Sequence, residues 1–377
     1  MSVHVKDSRA GRSLPAPLYA VALTRDGAAL AARLAREVPG TAALAPERFA
    51  AEVPGVEGFA EPVGEVIGRL WPEAGGFLLV MAAGIAVRSV APLLRDKAED
   101  PAVLVMDQTG HFVVPILSGH LGGANDLARE VAARLGATAV ITTATDAVGA
   151  PAAEVWAREN GLEVVDRAGV VRVNAAWANG EPVGLYVDPA LERLDLGAEL
   201  DPHLALRCDD LEQTEEFTGA LIAVTHRAST PRSAALVLRP RCLHLGVGCR
   251  RDAAPDAVVD GVRAALAAAG FAEGAVAGVA SVDVKGDEPA LHALAAVLGV
   301  PFRVFPSELL RMVDVPSPSA RVARAVGTAS VSEAAALVAS GGGELLLPKQ
   351  KGGVWTLAVA LGVPGRARPP QDGETRS

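Results

Sequence analysis

The run Phe77-Leu78-Leu79-Val80-Met81-Ala82-Ala83 is apolar at every position. A strand with one face in water alternates apolar and polar residues. An unbroken run of this length therefore predicts a strand of a parallel sheet covered on both faces. The neighbouring segments follow the same logic. Leu18 to Thr24 is a second apolar run, Asp26-Gly27 follows as a turn, and Ala28 to Val38 sets Leu30, Leu34 and Val38 four apart on one helix face. Glu61 to Trp71 predicts another helix, and Ala102 to Asp107 and Phe112 to Leu117 predict two strands about a turn at Gly110. Asn125 to Leu135 places Leu127, Ala128, Val131, Ala132 and Leu135 on one stripe, with Gly136 as its stop. Ala139 to Thr142 returns as strand. This alternation predicts an open α/β sheet.

Further along, the pattern changes. Between Asp166 and Arg241 the strand candidates are short (Val183 to Val187, Ala220 to Val224, Ala234 to Leu238), around the acidic stretch Asp209 to Glu216. From Leu243 the α/β alternation resumes: strands at Leu243 to Val247, Val276 to Val284 and Pro301 to Phe305, with helices at Ala257 to Ala269, Pro289 to Leu298 and Val331 to Ala339. Leu345 to Pro348 and Trp355 to Ala360 read as a closing hairpin. The fold class expected is α/β. An N-terminal open α/β sheet domain covers 18–165, a small α+β middle domain or linker 166–241, and a C-terminal α/β domain 242–364. Residues 1–17 and 365–377 are expected to be tails without fixed structure.

Composition narrows the function. The 377 residues are 50% hydrophobic, enough for well-formed cores, and 4% aromatic, too few for base-stacking platforms. A net charge of −9 argues against a nucleic-acid or anionic-membrane surface. The longest apolar stretch, Gly75 to Val87, stops at Arg88, short of the ~18 residues that span a bilayer. The 3 cysteines form no CxxC pair and the 7 histidines are scattered. Reduced thiols, a cytoplasmic location and no resident metal site are expected.

Chemistry concentrates in a few polar, glycine-dense blocks between apolar runs. The densest is Ser118-Gly119-His120-Leu121-Gly122-Gly123-Ala124-Asn125-Asp126. A glycine-rich turn entering a helix is suited to anions, with Asn125 as a possible N-cap. A tight turn that only caps the helix is an equally available reading. His120 sits between glycines and carries a proton-shuttling imidazole, or else only bonds nearby backbone. Thr142-Thr143-Ala144-Thr145-Asp146 lies at the C-terminal end of a strand, where α/β sheets bind ligands, or caps the following helix. Gly84-Ile85-Ala86-Val87-Arg88 offers an arginine for a carboxylate, or a surface arginine. In the last domain, Gly248, Arg250, Lys285 and Glu288 follow strands and form a second carboxylate-binding candidate. Lys285 and Glu288 are alternatively a solvated ion pair. Cys249 reads as a small buried residue.

Taken together these blocks resemble the CbiG family of cobalamin biosynthesis. The resemblance is carried by GIAVR (84–88), Asp100 to Ala128, VITTATD (140–146), 238–252, ASVDVKGDEPAL (280–291) and SVSEAAAL (330–337). The C-terminal part alone also resembles CobE. The resemblance implies hydrolysis of the δ-lactone of a cobalt-containing corrinoid, cobalt-precorrin-5A, with loss of acetaldehyde to give cobalt-precorrin-5B. The alternative is a non-catalytic carrier of the same intermediate. It implies no protein cofactor, since cobalt travels with the substrate. The partners implied are the corrinoid and neighbouring pathway enzymes, with no nucleic acid and no membrane. On this reading His120 or Asp146 activates water. Gly122 and Gly123 N–H groups, with Thr143, hold the oxyanion. Arg88, Ser118, Gly119, Asn125, Thr142, Thr145, Gly248, Arg250, Lys285 and Glu288 bind the substrate's carboxylates and polar edges.

Overall fold

The computed structural model describes residues 14–96, 99–120, 122–143, 146, 149–150, 152–192, 200, 203–316 and 330–362. Two compact units contain them, Met1–Val155 and Trp156–Ser377.

In the first unit the strands are Leu18–Ala22 (β1), Thr41–Pro46 (β2), Glu57–Phe59 (β3), Gly76–Val80 (β4), Ala102–Met106 (β5), Phe112–Leu117 (β6) and Thr138–Ala139 (β7). The helices are Arg25–Glu37 (α1), Glu47–Ala50 (α2), Val63–Leu70 (α3), Ala83–Val90 (α4), Ala124–Leu135 (α5) and Ala153–Glu159 (α6), the last running into the second unit. The strands form one sheet in the order β3-β2-β1-β4-β5-β6-β7. Of the run expected as strand over 77–83, Phe77–Val80 lies in β4, buried on both faces as expected, whereas Ala82 and Ala83 are exposed and Ala83 opens α4. Leu78 and Val80 pack with Ala28, Leu34, Leu127 and Val131 from α1 and α5. Phe77, Leu79 and Met81 pack with Val66, Ile67 and Ala86 from α3 and α4 on the opposite face.

Strands β1 to β5 are parallel, but β6 runs antiparallel to β5, with Met106 opposite Val113 and Val103 opposite Leu117. The connection forces this. Residues 107–111 are far too few for a crossover. Asp107 tightens the turn by accepting from the N–H groups of Thr109 (3.0 Å) and Phe112 (2.7 Å). β7 runs parallel to β6. Consequently β1, β4 and β5 end at one edge of the sheet, and β6 and β7 end at the other.

Residues 14–17, expected within the N-terminal tail, are placed against this unit. Pro17 O accepts from Gly75 N (2.9 Å) and Gly76 N (3.2 Å), and Leu14 packs on the core. Residues 1–13 and 365–377 lie outside the described residues.

The second unit holds two sheets. The first comprises Leu162–Val164 (β8), Val183–Val187 (β9), Leu206–Cys208 (β10), Ala220–Val224 (β11) and Ala234–Pro240 (β12), ordered β10-β9-β11-β12-β8. Its strands β9 to β12 are parallel and only β8 is antiparallel, so this region is wound more like its neighbours than the sequence suggested. Helices Arg167–Asn179 (α7) and Leu211–Glu216 (α8) belong to it.

The last sheet contains Leu243–Cys249 (β13), Val276–Val282 (β14), Phe302–Phe305 (β15), Glu344–Lys351 (β16) and Trp355–Leu361 (β17), ordered β15-β14-β13-β17-β16. β16 and β17 form the expected antiparallel hairpin. Helices Pro255–Ala268 (α9), Pro289–Leu298 (α10), Ser307–Arg311 (α11) and Val331–Ala339 (α12) complete it. α12 buries Ala334 and Ala335 against Ala280 and Val282 of β14.

Candidate active site

The sheet's reversal at β6 decides which candidate residues meet. His120 follows β6, and Thr143 and Asp146 follow β7, so both blocks lie at the same sheet edge. His120 Nε2 stands 3.4 Å from Asp146 Oδ2, and His120 Nδ1 stands 3.6 Å from Glu154 Oε1. Side-chain exposure is 18% for His120, 22% for Asp146 and 10% for Glu154, so the imidazole lies between two half-shielded carboxylates. Its interaction with Glu154, opposed by burial and reinforced by Asp146, holds the His120 pKa above the ordinary imidazole value.

Asp146 is densely bonded. Its Oδ2 accepts from Thr143 Oγ1 (2.5 Å) and Asn125 Nδ2 (2.9 Å), while Oδ1 accepts from Arg129 Nη2. Arg129 in turn meets Asp126 at 3.0 Å. Burial pushes the Asp146 carboxyl up, but Thr143, Arg129 and His120 together outweigh it and hold it below the usual carboxylate range. Asp146 is thus a fixed anion that orients its neighbours.

Several expected roles change. Asn125 is not the N-cap. Gly123, left-handed at φ 78, takes that position, and Asn125 is buried inside α5 with its amide on Thr143 (3.0 Å) and Asp146. The α5 N-terminus is no open anion site, because Ala124 N donates to Ser118 O (3.1 Å) and Asn125 N to Gly119 O (3.0 Å). Gly123 N donates to His120 O (3.0 Å), so it is not an available oxyanion donor. The Thr143 hydroxyl donates to Asp146 and accepts from Asn125, which removes it from the same role.

The glycines serve the loop itself. A Cβ on Gly122 would lie 2.4 Å from Ser118 Cβ, and one on Gly119 would lie 3.0 Å from Asn125 Oδ1. Ser118, in a left-handed conformation at φ 57, ties the loop to β5 by donating from Oγ to Asp100 O (2.8 Å). The block is a tightly self-packed turn that presents one imidazole. Thr142 is exposed nearby. Thr145 lies outside the described residues.

Arg88 does not join this cluster. It follows β4, which ends at the opposite edge of the sheet, and its Nη1 donates back to Gly84 O (3.2 Å). That edge carries an apolar crevice of about 540 Å³ at the switch point between β1 and β4, lined by Thr24, Met81, Ile85, Asp107 and Phe112 among others.

In the last sheet, Lys285 Nζ donates to Glu288 Oε2 at 2.9 Å. The pair is not solvated: Glu288 is fully buried and its Oε1 has no hydrogen-bond partner. Arg251, 3.9 Å from Glu288, bonds Asp287 at 2.8 Å. Burial pushes the Cys249 thiol up to about 11, against a nucleophilic role. Gly248 pairs with Thr356, and Arg250 N donates to Val354 O (2.9 Å), with its side chain exposed.

Family models tile this chain. Residues 65–146 match Cobalamin synthesis G N-terminal, residues 151–240 match Cobalamin biosynthesis central region, and residues 243–360 match Cobalamin synthesis G C-terminus. A curated protein of Salmonella typhimurium, "Cobalt-precorrin-5A hydrolase", is 36% identical over 92% of this chain and 98% of its own length. The chain belongs to the CbiG family. A protein of the same description from Priestia megaterium is 30% identical over 90% of this chain and 94% of that one. "Protein CobE" from Sinorhizobium sp. is 34% identical over 31% of this chain and 73% of its own length.

In this CbiG protein, sequence reasoning missed Glu154 and Arg129. Both stand on helix faces in patterns that a solvated carboxylate or arginine produces equally well. The signal for Glu154 was its place in the first turn of the helix that follows Asp146. Among the described residues no group of three or more His, Cys, Asp or Glu is arranged to hold a metal ion, and no helix is long and apolar enough to cross a membrane.

The carboxylate pair makes a pH prediction. An imidazole raised on folding stabilises the fold below its unfolded pKa, and that contribution disappears as pH rises through the raised value. Asp146 behaves oppositely, contributing above its unfolded pKa and losing it as pH falls through the lowered one. The stability gap between the native chain and His120→Gln is expected to be widest between about pH 4 and 6.5 and to close at higher pH. Thermal melts of both proteins across that range check this; a gap independent of pH would refute it.

Proposed function

We propose that this chain is a cobalt-precorrin-5A hydrolase that opens the δ-lactone and releases acetaldehyde, giving cobalt-precorrin-5B. The observation that carries the proposal is the likeness to two curated hydrolases of that description over at least 90% of this chain. The His120 constellation supplies a chemically suitable base for the hydrolytic step.

His120 is the better candidate base. The carboxylates flanking the imidazole raise its basicity, whereas the bonds to Thr143 and Arg129 and the nearby His120 hold Asp146 down as a weak base. In this mechanism His120 takes a proton from water as its hydroxyl adds to the lactone carbonyl carbon. The acyl C–O bond breaks, and the proton passes to the departing alkoxide oxygen. Acetaldehyde then leaves as the carbinol O–H gives up its proton to a base, its oxygen forms the aldehyde C=O, and the bond between the carbinol carbon and the macrocycle breaks with its electron pair staying on the corrinoid. Asp146 and Glu154 position the ring and stabilise the imidazolium. Gly122 N–H, which makes no hydrogen bond among the described residues, is the remaining candidate oxyanion donor of the turn.

The cobalt is proposed to arrive bound in the substrate. Arg88, at the far edge of the sheet from His120 and bonded back to Gly84 O, is not proposed as a contact of the same substrate molecule. Glu288, being buried, acts only by positioning Lys285. Anaerobic incubation of the purified chain with cobalt-precorrin-5A is expected to yield stoichiometric acetaldehyde and the mass of cobalt-precorrin-5B. Tight binding without aldehyde would instead establish a carrier.

A further inference from the structure

The middle sheet carries a cavity that the His120 chemistry does not use. The chain leaves β9 to one side, forming β10, and returns on the other side as β11, so β9 and β11 flank a topological switch point. Crevices at such points, beyond the strand C-termini, are the usual ligand sites of parallel sheets. Here the crevice has a volume of about 710 Å³. Asp188, directly after β9, and Thr225 and Arg227, directly after β11, line it.

Its chemistry is set by which groups are already bonded. Most of the carboxylate acceptors are engaged: Asp188 Oδ1 accepts from Ala190 N (3.1 Å), Asp188 Oδ2 from Thr225 Oγ1 (3.0 Å), and Glu215 Oε1 from Arg232 N (3.2 Å), with the exposed Glu215 Oε2 facing water. The donors are not. Tyr186 is only 5% exposed, lines the cavity, and its hydroxyl has no partner among the described residues. Burial and the neighbouring Asp188 raise its pKa, which keeps the phenol a donor. The side chains of Ser229, Thr230 and Arg232 line the cavity and likewise have no hydrogen-bond partner among the described residues. Arg227 is held in place over the Phe271 ring, 5.3 Å from its centroid, with Nε 3.9 Å from Asp188.

An array of two guanidinium groups and three hydroxyls, set against an Asp188 bonded through both oxygens, selects for acceptors on the ligand. The cavity is too large for a single carboxylate or phosphate to engage all five donors. It is within the ~300–1,000 Å³ range of small-molecule sites. We propose that the cavity between β9 and β11 is a binding site for a small organic polycarboxylate, held by Tyr186, Arg227, Ser229, Thr230 and Arg232. The site stands independently of the hydrolase reading, since no residue in it takes part in the His120 network.

Isothermal titration of the full chain with citrate, and separately with inorganic phosphate, tests this. Citrate is expected to bind saturably, and Arg232→Glu to weaken it about tenfold or more. Tyr186→Phe and Ser229→Ala are expected to weaken it severalfold, and His120→Ala to leave it unchanged. Arg232 and Ser229 are exposed and their side chains carry no structural bond, so these variants keep the test open if Tyr186→Phe disturbs packing. Absence of saturable citrate binding, citrate affinity unaltered in Arg232→Glu and Ser229→Ala, or phosphate binding as tightly as citrate would each overturn the proposal.

Discussion

Replacing His120 by alanine is expected to lower turnover of cobalt-precorrin-5A by about a hundredfold to ten-thousandfold, the usual contribution of a positioned acid–base group. At ~1.36 kcal/mol per decade this is about 3–5 kcal/mol of transition-state stabilisation. The fold should survive, because the ring is partly exposed and the turn is held by its backbone bonds from Gly123, Ala124 and Asn125. Circular dichroism of the variant should therefore stay native, and at pH above the raised His120 pKa its melting profile should stay close to native as well. The companion change Glu154→Gln separates chemistry from architecture. Losing that carboxylate lowers the His120 pKa toward its ordinary value, because Glu154 is the largest cause of its rise. More imidazole is then neutral in acid, so the acidic limb of the kcat profile moves to lower pH while the plateau drops by less than the alanine change. A plateau loss with no movement of the limb would assign Glu154 a purely structural role. Full turnover by His120→Ala would sink the mechanism.

The largest stability effect is expected at Gly246→Ala. A Cβ there would lie 1.8 Å from Ser332 O and 2.6 Å from Ala336 N, both backbone atoms of α12. No side-chain rotation relieves such a contact, so the helix must move away from β13. That loosens the buried contacts of Ala334 and Ala335 with Ala280 and Val282. Overpacking of this kind costs about 3 kcal/mol or more, which lowers the melting temperature by about 6 °C or more for a unit of this size. Gly248→Ala is the internal comparison. Its Cβ would meet the Thr356 hydroxyl at 2.8 Å, a side-chain atom that can turn aside, so the loss should be much smaller. Equal melting of the native chain and Gly246→Ala would show that α12 does not approach the strand so closely.

These two glycines illustrate where local reading succeeds and where it stops. Gly246 and Gly248 look alike in sequence, each a small residue in a glycine-rich strand end. Only the neighbour across the gap, helix backbone in one case and a threonine in the other, distinguishes them. The sequence marked Gly122 only as an oxyanion-binding glycine; that a Cβ there would strike Ser118 in the same loop is visible only in the structure. Strand β2 escaped notice because Thr41–Pro46 is alanine-rich and ends in proline, giving no β-branched signal. Helix α7 escaped because its buried residues Val170, Val173, Ala176 and Trp177 are interleaved with exposed apolar Val171.

Apolar periodicity by itself determined the α/β class and many of the elements, though not β2 or α7. A residue's burial within its own strand or helix is set by spacing along the chain, as Phe77–Met81 shows. The density of glycine, imidazole and carboxylate also marked 118–146 as the region where chemistry concentrates. The short turn before β6 fixes its direction, but the tertiary structure decided the company His120 keeps. Because β6 turns back on β5, Asp146 and Glu154 meet the imidazole while Arg88 stays at the far edge of the same sheet. Spacing along a chain fixes which face a side chain takes. It does not fix which distant carboxylates are folded against it, because that depends on strand order and on hydrogen bonds between segments that the sequence does not place side by side.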